Sequence, residues 1–192
     1  SAGADAIALG TSTQASGVEA VAIGKDAAST ASNALAFGQG AQAKADDTVA
    51  VGTGAQATLA NSIAIGKNSF ARGLYSGVTS DRKRRAIAVG FNTQALGEDS
   101  VAIGSGVDAN AAALAQNRQS VALGWQARAT GTTQAVAIGP DARASGAQST
   151  SIGNNTRATG ASSIAIGGDD WDDAKKSVNA QYKVLTGSDM SG

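Results

Sequence analysis

Side chains equipped for chemistry lie in three places. The first is Asp81-Arg82-Lys83-Arg84-Arg85, the only dense basic run in the chain, with Leu74 and Tyr75 a few residues ahead. Cationic groups this close together attract anions, so Tyr75, Arg82, Lys83, Arg84 and Arg85 are candidates for an anionic-ligand patch. The plainer reading of the same run is a solvated turn, or ion pairs across a subunit boundary. Nucleic acid fits less well, because no aromatic side chains are interleaved with the charges for bases to stack on. The second place is Asp169-Asp170-Trp171-Asp172-Asp173. Its carboxylates suggest calcium, but the Gly and closing Glu of an EF-hand loop are missing, and acidity at a helix start explains it better. The third is Trp125, directly after Gly124, read as a cover for a loop rather than a binding anchor.

Catalysis has little else to draw on. The 192 residues contain no His and no Cys, which removes the usual general base, thiolate chemistry, disulfides and the commonest metal ligands. No cofactor, metal or catalytic residue is expected. An enzyme on a β-helix would need clustered carboxylates on neighbouring coils, and an ice-binding solenoid would need a regular Thr column; Thr13, Thr93 and Thr156 are too scattered. Fifteen basic and fifteen acidic residues leave no net field toward nucleic acid or an anionic membrane, and no apolar run approaches spanning length.

What must position these groups is a repeat. The phrase apolar-Ala-apolar-Gly occurs eleven times with one Ser in place of Ala, ending at Gly10, Gly24, Gly38, Gly52, Gly66, Gly90, Gly104, Gly124, Gly139, Gly153 and Gly167, and the first four intervals are 14 residues each. A fixed short period signals stacked coils. Small residues recur three and five positions after each Gly, as in Ala41 with Ala43 and Ala55 with Ala57. Each unit therefore holds two short period-2 strands, one with large apolar residues and one with small ones, separated by Gly and polar turns. Such strands pair only with their equivalents in the next coil, giving an all-β parallel β-roll of about eleven coils over residues 1–168. Fourteen residues make a narrow coil, so a wall of Val, Ile and Leu is expected to face inward against a wall of Ala, Ser and Thr.

Alternation then puts the middle residue of the phrase outside. There stand Ala8, Ala22, Ala36, Ala50, Ala64, Ala88, Ala102, Ala122, Ala137 and Ala165, with Ser151 the exception. A solvated face would carry polar side chains, so an outward Ala stripe implies close packing against another surface. Two large side chains per coil also bury little apolar area against the entropy of ordering a whole coil. Self-association along these alanines, as a cyclic homo-oligomer, is the expected remedy.

Asn61-Ser62-Ile63-Ala64-Ile65-Gly66-Lys67-Asn68-Ser69 resembles the recurring motif of YadA-like head domains of trimeric autotransporter adhesins, and Ser100-Val101-Ala102-Ile103-Gly104-Ser105 is a second close match. The resemblance spans every repeat. It implies a left-handed β-roll, a homotrimer, and display on the outer membrane of a Gram-negative bacterium for attachment to host matrix, collagen-like proteins included, or to cell-surface receptors and glycans. Membrane attachment would come only through a C-terminal anchor that this stretch does not include. The family's matrix-binding motif maps onto Asn61, Ser62, Ile63, Ala64, Ile65, Gly66 and Ser69, residues that are equally the roll's structural code. The leading function is a non-catalytic adhesin head; the alternative is a spacer rod that presents other adhesive domains.

The period breaks in three places. Ten extra residues fall near 74–83, six near 111–116 as a short helical turn or a simple loop, and one near Thr132-Thr133. Insertions in a solenoid map to exposed loops. Beyond residue 168 the composition changes. Trp171, Ala174, Val178, Tyr182 and Leu185 follow a helical stripe, which predicts one helix from about Asp170 to Leu185 within a separate segment, 169–192. The chain opens inside a repeat and reads as a piece of something longer.

Overall fold

Each coil turns twice, and both turns use the same device. In the computed structural model, which describes residues 3–72, 85–108 and 111–168, the Gly24 carbonyl accepts from the Ala27 N–H at 3.2 Å and the Gly17 carbonyl from the Ala20 N–H at 3.4 Å. The third residue of each turn is left-handed, as at Asp26 (φ 57°) and Glu19 (φ 56°), and the equivalent positions hold Asn33, Asp47, Asn61, Asn68 and Asn92. Short amide and carboxylate side chains tolerate this region better than most. They also tie the coils together: Asn33 Nδ2 donates to Asp47 Oδ1 at 2.9 Å, and Gln148 donates to Gln134, which donates to Gln119, both at 3.1 Å.

Among the described residues, eleven strands stack in chain order as one parallel sheet: Ile7–Leu9, Val21–Ile23, Leu35–Phe37, Val49–Val51, Ile63–Ile65, Ala86–Val89, Ser100–Ile103, Val121–Leu123, Val136–Ile138, Thr150–Ile152 and Ile164–Ile166. Ten two-residue strands form the second sheet: Gln14–Ala15, Ala28–Ser29, Gln42–Ala43, Gln56–Ala57, Phe70–Ala71, Gln94–Ala95, Leu114–Ala115, Arg128–Ala129, Arg143–Ala144 and Arg157–Ala158. Equivalent residues pair in register, for example Val21 with Leu35, Ala22 with Ala36 and Ile23 with Phe37. This is the all-β roll that the period predicts.

The insertions leave the stack intact. Ile63 pairs with Ile87 and Ala71 with Ala95 across the first, so the described coils on either side of it stay in register. The second is misplaced in the sequence reading. Leu114–Ala115 is a regular strand paired with Gln94–Ala95 and Arg128–Ala129, so the six surplus residues precede it and do not occupy 111–116. Ladder bonds from Leu114 N–H to the Ala127 carbonyl and from Gln94 N–H to the Ala113 carbonyl, both 2.9 Å, override the helical preference of Ala and Leu there. The expected helix near 170–185 lies outside the described residues.

The core overturns a larger expectation. Ala22, Ala36, Ala50, Ala64, Ala88, Ala102, Ala122 and Ala137 are fully buried inside the roll of a single chain, facing Ala43, Ala57, Ala71 and their equivalents from the second sheet. Only Ala8 and Ala165, in the first and last coils, keep exposed surface. The Val, Ile and Leu side chains flanking them point outward. The alanines are therefore the filling of the roll and not a surface for another subunit. Fourteen residues closed by two tight turns bring the sheets so near that the fully buried side chains are Ala, Ser and Thr; not even one wall of large side chains can be accommodated.

Candidate functional site

With alanine inside, the first sheet turns two columns of large apolar side chains outward. One runs through Val21, Leu35, Val49, Ile63, Ile87, Val101, Val121 and Val136; the other through Ile23, Phe37, Val51, Ile65, Val89, Ile103, Leu123 and Ile138. Phe37, Ile65 and Ile103 are 49%, 40% and 43% exposed. Eleven strands at the usual spacing make this face about 50 Å long. Isolated soluble chains rarely expose apolar patches of such extent unless the patch meets a partner.

The motif residues divide by this geometry. Asn61 is the left-handed residue of its turn at φ 60°. Ser62 is buried and its Oγ accepts the Ala86 N–H at 3.2 Å, while the Ser69 hydroxyl donates to the Gly66 carbonyl at 2.9 Å. Ala64 has no exposed surface, and Gly66 holds φ at 119°, stacked on Gly90 of the next coil. Each of these positions has a job inside the roll. Only Ile63 and Ile65 reach the outer face.

Of the basic run, Arg85 falls within the described residues, and Tyr75, Arg82, Lys83 and Arg84 lie outside them. Arg85 Nε stands 3.3 Å from Asp99 Oδ1, one coil further on, with the arginine largely exposed. Trp125, at the turn after Gly124, is 44% exposed. Among the described residues no three acidic side chains converge as metal donors.

The second sheet carries a feature that the sequence reading missed. Its outward position, four residues after the repeat glycine, holds Gln14, Gln42, Gln56 and Gln94 in early coils but Arg128, Arg143 and Arg157 in the last three. Arg128 pairs in register with Arg143, and Arg143 with Arg157. Burial first, and the neighbouring Arg143 charge second, hold Arg128 below the usual arginine value. The signal was available, since the three arginines share one phase of the repeat.

No curated protein matches the chain. The family model described as YadA head domain repeat (2 copies) matches residues 1–27, 29–55, 43–69, 83–106, 115–142, 133–156 and 144–169, well over half of the sequence. Its matches run through the same coils that the paired strands define, and on both grounds the chain belongs to the YadA head domain family.

Proposed function

We propose that the chain is the non-enzymatic head of a trimeric surface adhesin, in which three copies turn their first sheets toward a common axis and present their second sheets to the host. The observation that carries this reading is the unpartnered apolar face. Its Val, Ile and Leu columns would be covered by the same columns of two neighbours, and a closed cyclic arrangement buries them all. The family supports it as well, being one of structural adhesin heads in trimeric autotransporters of Gram-negative bacteria. The same membership supports display on the surface of a Gram-negative bacterium.

The ligand class that fits best is host matrix, collagen-like proteins or cell-surface receptors and glycans, engaged by many weak contacts that trimeric display turns into avidity.

Sedimentation mass, followed by binding to collagen and to a matrix-protein array, tests the proposal. A particle of three chains that binds at least one matrix component is the expected result. A three-chain particle that binds none would make the chain a spacer rod, and a folded single chain would refute the assembly.

A further inference from the structure

We propose that Arg128, Arg143 and Arg157 form a binding ladder for a linear sulfated polysaccharide lying along the long axis of the roll, one anionic group to each coil. The inference rests on the adhesive reading for its setting and assigns it a ligand class and a site.

In-register pairing places the three side chains in a straight column across neighbouring strands, about 4.8 Å apart. Like charges directly opposite each other on adjacent strands destabilise a sheet. The chain uses uncharged Gln at the same phase in four earlier coils, so nothing in the fold requires arginine there. Residues 124–167 contain these three arginines and a single acid, Asp141, a local charge of +2 in a chain whose total is zero. Among the described residues, the Arg143 and Arg157 side chains, both exposed, make no ion pair or hydrogen bond. Two positions on, just past each strand's end, stand Thr130, Ser145 and Thr159, which give each of these coils a hydroxyl near the column.

Spacing selects the partner. The guanidinium fork donates paired N–H bonds to sulfate or carboxylate oxygens. A pyranose unit advances a polysaccharide by about one strand gap, and several sulfates per disaccharide leave an anion near each coil whichever face the sugars turn. An extended acidic peptide places same-side carboxylates about 6.6 Å apart and falls out of step after one coil. A nucleic acid strand rises about 3.4 Å per phosphate and lacks stacking aromatics along this column.

Chromatography of the whole chain on immobilised heparin, eluted with salt, tests the ladder. The wild-type chain is retained at physiological salt, and the R128Q/R143Q/R157Q variant passes through with an unchanged thermal melt. Each replacement lowers the slope of log affinity against log salt by about one. Moving the column, by adding Ala28→Arg, Gln42→Arg and Gln56→Arg to that variant, restores retention. Soluble heparin displaces the bound protein, whereas desulfated heparin, hyaluronan, polyglutamate and duplex DNA do so at least tenfold less well. Retention of the triple variant, or equal displacement by DNA or polyglutamate, overturns the proposal. So does loss of retention on neutralising Arg82 to Arg85 alone. Collagen and cell binding are measured on the same preparations: their failure with heparin retention intact would sink the adhesive reading and leave the ladder standing.

Discussion

Ala64 and Ile65 are neighbours in one three-residue strand, yet Ala64 is 0% exposed and Ile65 is 40% exposed. The smaller apolar residue fills the interior and the larger one is turned out. A roll built this way is held by backbone ladders and close methyl packing more than by large buried side chains. Its greasy surface is left on the outside.

Enlarging the interior should therefore be costly. Ala64→Leu inserts three carbons between two sheets with no room for them, and is expected to destabilise the roll by on the order of 1–3 kcal/mol or more. Ile65→Ser, one residue away, should leave the melt of the isolated subunit nearly unchanged. Thermal unfolding of both variants at concentrations where only single chains exist decides the matter; a milder effect for Ala64→Leu would return the alanines to the surface.

Charge on the outer face should act on assembly and not on folding. Ile65→Asp with Ile103→Asp puts carboxylates into a column that three copies would bury, where unpaired charges are strongly disfavoured. The expected outcome is a drop in sedimentation mass to one chain, with the circular dichroism spectrum retained. An unaltered mass would show that the copies meet through some other surface.

Much of this architecture is legible in the sequence. The 14-residue interval, the two strands per unit and the parallel stacking follow from the repeated Gly and the alternation around it. The inward face does not. Alternation separates Ala22 from Val21 and Ile23 without saying which side is the interior, since all three are apolar, and ordinary burial preference points the wrong way. The deciding quantity is the gap between the sheets, fixed by the turns at Gly17–Ala20 and Gly24–Ala27 and absent from any hydrophobicity pattern. Leu114–Ala115 is hidden for a related reason: helix propensity carries no trace of the ladder bonds from adjacent coils that hold it extended. Arg128, Arg143 and Arg157 escaped notice because they are scattered in sequence and converge only when the coils are stacked.

The glycines separate conformational need from crowding. A Cβ on Gly66 would meet the Gly90 carbonyl carbon at 2.7 Å with φ at 119°, whereas one on Gly40, at φ 64°, would meet nothing within 4 Å. Gly66→Ala should cost about 1–3 kcal/mol from backbone strain alone, before the clash is counted. Gly40→Asn should be neutral or stabilising by about 0.4–1 kcal/mol, because Asn68 and Asn92 already hold that turn position in a left-handed conformation. Denaturant melts give both values. Any loss of matrix binding in Gly66→Ala should track loss of structure.

The Arg85–Asp99 pair joins one coil to the next at 3.3 Å, but the arginine side chain is 66% exposed. Asp99→Asn is accordingly expected to change stability by less than about 1 kcal/mol, with the difference fading at high salt. A larger, salt-insensitive loss would mean that the pair is covered in the assembled particle.

The arginine column should reveal itself without any ligand. Arg143 sits in register between Arg128 and Arg157, so its charge is repelled from both sides. Arg143→Gln removes both repulsions and installs the side chain found at Gln42 and Gln56, so it should stabilise the roll, by about 0.2–1 kcal/mol in low salt. The gain should shrink as salt screens the column, over a Debye length of about 10 Å at 0.1 M. A melt raised in dilute buffer and equal to wild type in concentrated salt is the expected pair of results. Destabilisation at both ionic strengths would mean that the Arg143 side chain packs as part of the fold, and the case for a tolerated strain awaiting an anion would be lost.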